Sequence, residues 1–294
     1  MKPTLTQLIK EGKTLVSDGA WGTFLQAKGL KPGECPELWN IEHPEAVLDI
    51  ARSYIEAGAD TIETNSFGGT NFKLEAFGLA DRVYEINRRA AEISRQAAGA
   101  DKYVLGSVGP TGKMLMMGDV TEEELYEAFK EQVVALSDGG ADAIVIETMT
   151  AIDEAEIAVR ASKENTSCEI ICTMTFDHLQ TGEYRTMMGV SPTEMVEALT
   201  AAGADILGAN CSNGIEGMIH ITKEIRSVNK EIPVLIHANA GLPVLQGMCT
   251  VFPESPEMMA EFAPRLAKAG ANIIGGCCGT TPAHIHKLVE VLKK

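Results

Sequence analysis

The chain has 294 residues, 45% of them hydrophobic and 22% charged, with a formal net charge of -16 at pH 7. That excess of carboxylates excludes nucleic acid and anionic membrane as natural partners, because both carry the same sign. The composition is that of a globular protein, and no apolar run approaches the roughly 20 residues needed to span a bilayer.

The first residues lack the apolar stretch of a secretory signal, and the cysteine count is odd, at seven. Both features lead to the expectation of a reducing, cytoplasmic setting. In chain order, residues 15–20 read as a short strand ending in the turn Asp18-Gly19-Ala20. An apolar stripe of Val47, Ile50, Ala51 and Tyr54 predicts a helix over 44–57. Strand 61–67, helix 80–98 and strand 103–110 follow, and Thr121 and Glu124 are spaced as a capping box that opens a helix to Ser137. Strand 143–149, helix 153–163, strand 169–176 and helix 191–202 come next. Strand 206–211, a helix ending near Val228, strand 233–239 and helix 256–269 lead to strand 272–276 and a closing helix over 282–292.

Four similar turns recur: Ala57-Gly58-Ala59-Asp60, Gly139-Gly140-Ala141-Asp142, Ala202-Gly203-Ala204-Asp205 and Ala269-Gly270-Ala271-Asn272. Each stops a helix at a glycine and launches an even-numbered strand from an Asp or Asn, residues suited to a left-handed stop and a tight turn. A double βα unit repeated four times is the pattern of a (β/α)8 TIM barrel, here one α/β domain over residues 1–294. An eight-stranded open parallel sheet is the alternative.

In such a barrel the chemistry lies at the C-terminal ends of the strands. The polar residues there are Asp18, Glu63, Asn65, Glu147, Cys211, Asn239, Cys277 and Cys278. Neighbouring side chains on a strand point to opposite faces, so Cys277 and Cys278 converge only if the backbone leaves strand geometry at the pair. The flanking Gly276 and Gly279 permit that. Two small core residues or a vicinal disulfide are the plainer readings of the pair. Barrel geometry favours a metal centre, because the sixth and eighth strands carry Cys211, Cys277 and Cys278 on either side of a seventh strand that ends at Asn239.

Zinc suits three thiolates and keeps a fourth position for substrate. A tris-thiolate zinc is a poor activator of water, but it holds a substrate thiol as thiolate near neutral pH, which points to S-alkylation. Asp18 and Glu147 together suit an ammonium group, and the Gly19 and Ala20 amides suit a carboxylate. Glu63 reads equally well as a structural partner, and His237 as a core histidine. Cys35, Cys168, Cys172 and Cys249 lack a comparable setting and read as structural or incidental. Residues 179–188 form a polar loop with a Met pair that either covers the site or is simply solvated.

The segments Asp18-Gly19-Ala20, Glu63-Thr64-Asn65-Ser66-Phe67, Glu147-Thr148-Met149, Gly208-Ala209-Asn210-Cys211 and Gly275-Gly276-Cys277-Cys278-Gly279-Thr280-Thr281-Pro282 together resemble the homocysteine S-methyltransferase family. Within it the chain is most similar to the homocysteine-binding module of cobalamin-dependent methionine synthases. Trp21 departs from that branch, which usually has Met there. The resemblance implies Zn2+ on Cys211, Cys277 and Cys278, with homocysteine held by Asp18, Glu147, Gly19 and Ala20. It also implies Asn239 at the fourth zinc position while substrate is absent. The implied product is methionine. The methyl-corrinoid donor is expected on a separate protein or on folate and cobalamin modules, since this sequence contains neither. Two other readings stay open: a small donor of the S-methylmethionine or betaine type, and a divalent-metal aldolase-like barrel using Glu63 and Asp18.

Overall fold

Short apolar runs alternate with amphipathic stripes, and the chain folds accordingly. In the computed structural model, which describes residues 2–246 and 249–293, the strands are Leu15–Val16 (β1), Thr61–Glu63 (β2), Tyr103–Val108 (β3), Ala143–Met149 (β4), Glu169–Met174 (β5), Ile206–Gly214 (β6), Val234–Asn239 (β7) and Ile273–Gly276 (β8). The helices that follow them are Pro44–Glu56 (α1), Val83–Ala98 (α2), Glu122–Asp138 (α3), Ile152–Asn165 (α4), Pro192–Ala202 (α5), Ile215–Val228 (α6), Pro256–Ala269 (α7) and Pro282–Leu292 (α8). All ladders between these strands are parallel, in the order β1-β8-β7-β6-β5-β4-β3-β2.

The remaining seam, between β1 and β2, is closed by side chains as well as backbone. Val16 O accepts from the Asp60 N–H at 2.7 Å, and the Val16 N–H donates to Asp60 Oδ2 at 2.9 Å. Higher up, Asp18 Oδ2 accepts from the Glu63 N–H at 2.9 Å. The sheet thus closes as the expected barrel.

The four recurring turns prove to be more than helix stops. Gly58, Gly140, Gly203 and Gly270 all have left-handed φ, from 96° to 118°, where a side chain would be strained. The Asp or Asn two residues later then clasps the preceding strand. Asp142 does this to Val104, Asp205 to Ile170 and Asn272 to Val234, each taking the strand's N–H on its side chain at 2.8–2.9 Å. These side chains replace ladder bonds at the barrel floor. The sequence reading assigned them to turn chemistry alone.

Strand alternation separates two cores. Leu15, Leu105, Val145, Ile171, Leu235 and Ile273 fill the lower interior, plugged from below by Leu5 and Leu8 of the helix Leu5–Lys10. Val16, Ile62, Val104, Ile144, Ile146, Ile170 and Ile274, on the opposite face, pack against the helices. Followed upward, the interior-facing parity turns polar: Ser17, Glu63, Ser107, Glu147, Thr173, Asn210 and His237, all buried. One face of each strand therefore builds first a floor and then a reaction chamber.

Candidate active site

The chamber opens at the C-terminal end of the barrel as a cavity of about 300 Å³, lined in part by Gly19, Trp21, Glu63, Glu147, His237 and the three thiols. That volume lies at the small end of the range for ligand pockets and suits a molecule of amino-acid size.

Two breaks in strand geometry bring the sulfurs together. In β6, Cys211 and Ser212 adopt left-handed φ of 61° and 56°, and the β6–β7 register slips between Asn210 and Gly214. Asn210 and Cys211 can then both reach the chamber, although adjacent residues on a regular strand cannot. β8 stops at Gly276, and Cys277 and Cys278 lie beyond it, tied to β7 by Cys277 N–H to Ala238 O (2.7 Å) and Ala240 N–H to Cys278 O (3.0 Å). All three are free thiols, so no vicinal disulfide forms.

Their Sγ atoms lie within 4.8 Å of one another, with Cys211 and Cys278 at 3.9 Å. A tetrahedral zinc with bonds of about 2.3 Å needs sulfurs roughly 3.8 Å apart. Asn239 Oδ1, fully buried, has no hydrogen-bond partner. The donor set and this orphaned oxygen both fit a thiophilic cation. Hydrogen bonds from Cys277 and then Cys278 push the Cys211 thiol down to about 3, while their own values rise because they act as its donors. The trio favours holding negative charge at Cys211. Among the described residues no other group of three or more His, Cys, Asp or Glu side chains is tight enough to hold a metal.

Beside the thiols stands an acidic wall of Asp18, Glu63 and Glu147, all buried and all raised above the ordinary carboxylate range, chiefly by desolvation. Burial likewise lowers the pKa of His237. Glu147 accepts from Ser107 Oγ at 2.5 Å and from Asn210 Nδ2 at 3.4 Å. Asp18 stands behind the cavity rather than in its lining. Its oxygens accept from Ser17 Oγ (3.0 Å), Trp21 Nε1 (2.9 Å) and the Glu63 N–H (2.9 Å).

Gly19 and Ala20 do line the cavity, and a Cβ on Gly19 would lie 2.6 Å from Thr280 Oγ1. The same hydroxyl accepts the Ala20 N–H at 3.0 Å, so that amide is already engaged. Asn65 also borders the cavity, with its Nδ2 donating to Pro36 O at 2.7 Å and to Asn40 Oδ1 at 3.1 Å. Residues 179–188 contribute to a small hairpin, Asp177–His178 with Tyr184–Arg185, whose Met187 is exposed. Cys35 and Cys172 are buried and Cys168 is half-buried, as a structural role requires, and the Cys249 side chain lies outside the described residues.

Sequence reasoning missed the roles of two residues. Trp21 braces Asp18. Asn210 joins three strands: its Oδ1 accepts the Thr148 N–H (2.8 Å) and Thr173 Oγ1 (2.7 Å), and its Nδ2 donates to Thr148 Oγ1 (2.7 Å). Thr148 sits at a left-handed φ of 61°, unusual for a β-branched residue. The only available signal was the position of Asn210 beside Cys211.

Fold and site together define a (β/α)8-barrel enzyme with a three-thiol centre at its mouth. Residues 15–292 match the homocysteine S-methyltransferase family, and the chain belongs to it. The chain is 35% identical over 300 residues to the methionine synthase of Mycobacterium tuberculosis and 33% identical to that of Mycobacterium leprae. It spans about a quarter of the length of these curated relatives, 25% and 24%, while 95–96% of this chain is aligned. Among solved structures, the metallated form of the homocysteine methyltransferase MmuM from Escherichia coli superposes with a TM-score of 0.78 at 26% identity, covering 96% of this chain and 97% of that one. The enzyme class is therefore that of a homocysteine S-methyltransferase, similar to methionine synthase. Among the described residues no helix is long and apolar enough to cross a membrane.

Proposed function

We propose that the chain activates homocysteine at a zinc ion held by Cys211, Cys277 and Cys278 and methylates its sulfur to give methionine, with a methyl-corrinoid carried by a separate protein or module as donor. The observation that carries this reading is the close approach of three free thiols beside the orphaned Asn239 Oδ1. Zinc supplies a cation that keeps the substrate sulfur deprotonated at neutral pH yet nucleophilic.

The protein's own groups do the rest. Asn239 Oδ1 would be the neutral donor beside the three thiols while no substrate is bound. Glu147, steered by Ser107 and Asn210, faces the substrate ammonium, with Asp18 adding its charge from behind. The Gly19 turn meets the carboxylate. The sulfur then forms its bond to the methyl carbon as the donor departs with the electron pair of the broken bond. The thiol proton has already left to solvent.

A rim of exposed apolar side chains supports a bulky donor. Phe67, Met116, Met117, Met187, Leu242 and Leu245 lie on the loops after β2, β3, β5 and β7, all at the open end of the barrel. The small-donor reading keeps one specific support, the near-complete overlap with the E. coli homocysteine methyltransferase.

Zinc-edge absorption tests the centre. Adding homocysteine should raise the sulfur count in the zinc shell from three to four, and an unchanged shell refutes thiol binding at the metal. Cys278→Ala should lose both stoichiometric zinc and thiol methylation. Incubation with homocysteine and methylcobalamin, S-methylmethionine or betaine separates the donors. Methionine formed only with a sulfonium or ammonium donor would end the corrinoid reading.

A further inference from the structure

We infer that Glu63 is the carboxylate that receives the substrate's ammonium group and sets a preference for α-amino thiols over plain thiols. This rests on the functional reading above and adds a residue to it. Strand parity places Glu63 on the chamber side: in β2, Ile62 packs among the helices, while Thr61 and Glu63 face inward. Glu63 lines the same cavity as Cys211, Cys277 and Cys278. An amino thiol of homocysteine length therefore has both of its anchors in one small chamber.

The decisive feature is an unfilled acceptor. Glu63 is 7% exposed, and its Oε1 is buried with no hydrogen-bond partner. His237 Nδ1 lies 3.3 Å from it without completing a hydrogen bond. A buried carboxylate oxygen without a donor is costly, and such atoms in native sites mark a group supplied by a ligand.

The neighbouring acids are differently placed. Asp18 already accepts from three protein donors, and both oxygens of Glu147 have partners. An ammonium brings three N–H donors and a positive charge. It meets the need of Glu63 Oε1 and still has donors to share with Glu147. His237 Nε2, also buried and unpartnered, marks the same wall as built for a polar ligand. Glu63 thus takes the leading role that the sequence suggests for Asp18, and Asp18 becomes the brace that closes the β1–β2 seam beneath it.

The test compares homocysteine with 4-mercaptobutyrate, the same chain lacking the amino group, on the zinc-loaded protein. In Glu63→Gln, KM for homocysteine should rise about tenfold or more, the worth of one charge-assisted hydrogen bond. The KM for 4-mercaptobutyrate and the zinc content should stay at wild-type values. Glu63→Asp keeps the charge but withdraws it by one methylene, and should give a smaller loss confined to homocysteine. Thermal unfolding of both variants checks that they fold. An equal loss for both thiols, or no loss for either, overturns the assignment. Wild-type protein that fails to methylate homocysteine overturns the functional reading instead, and does so before any variant is made.

Discussion

Replacing Asn210 by Ala removes the joint between the substrate wall and the thiol centre, and the cost can be worked from its contacts. The Thr148 N–H and the Thr173 hydroxyl lose their shared acceptor, Oδ1 at 2.8 and 2.7 Å, and Thr173 is fully buried. At about 1–3 kcal/mol for each orphaned group, with a small cavity added, the variant should lose about 3–5 kcal/mol. The sharper test adds Thr173→Val. In the wild-type background that change deletes a satisfied hydroxyl and should cost about 1 kcal/mol. In the Asn210→Ala background it deletes an orphan and should restore about 1–2 kcal/mol. Urea unfolding of the four proteins, at fixed zinc concentration, measures this reversal as a coupling of about 2–3 kcal/mol. Equal effects of Thr173→Val in both backgrounds would refute the claim that Asn210 holds β4, β5 and β6 together.

Glu63→Gln has a pH signature as well. Desolvation first, then the charge of Asp18, raises Glu63 well above its ordinary value, with Glu147 and His237 also facing it, so the folded state binds a proton that the unfolded chain releases above about pH 4–5. Wild-type stability therefore falls with rising pH through that window while the glutamine variant lacks the loss; relative to wild type, Glu63→Gln should gain stability between pH 5 and pH 8, and a constant difference counts against a raised carboxyl. Asn272 is the neutral member of the four floor clasps and accepts from Arg226 Nη2 at 2.7 Å as well as from Val234. Asn272→Asp should preserve or raise the melting temperature, whereas Asn272→Leu should cost about 2 kcal/mol by orphaning the Val234 N–H. Burial pushes the Cys35 thiol up to about 12 and raises Cys172 as well, so iodoacetamide at pH 8 should leave both unlabelled in the folded protein. Mass spectrometry should find added label on Cys211, Cys277 and Cys278 once a chelator is present; equal labelling with and without it argues against a metal there.

The barrel was legible because its signals are local. Helix stripes, strand alternation and the four glycine stops each lie within a few residues. Cys277 and Cys278 were legible for a related reason, since two adjacent thiols between glycines can converge only by leaving the strand. Residues acting across large sequence separations stayed hidden. Asn210 meets Thr148 and Thr173, and Asp18 meets the Glu63 N–H, through contacts that no local pattern encodes. Thr281 caps α8, while Thr280 reaches back across the chain to take the Ala20 amide and donates to Cys277 O at 2.7 Å. Glu63 was within reach of the sequence, because counting parity from Ile62 places it inside the barrel.

The charge balance of the chamber explains why these features belong together. Three thiolates around a divalent cation leave about one negative charge, and Asp18, Glu63 and Glu147 stand in the same low-dielectric space. His237 does little to offset them, because burial disfavours its protonated form. Burial makes the ionised form of such a site costly, so the acids favour holding protons until cations enter, and the two that fit are a thiophilic metal at the sulfurs and an ammonium at the acids. A ligand carrying a thiol and an ammonium a short chain apart meets both requirements at once, while a plain thiol meets only one. Selectivity for an amino thiol then follows from the unmet electrostatic demand of the empty wall rather than from the shape of the pocket. Neutralising one acid should accordingly weaken discrimination between thiols more than it weakens binding of the metal.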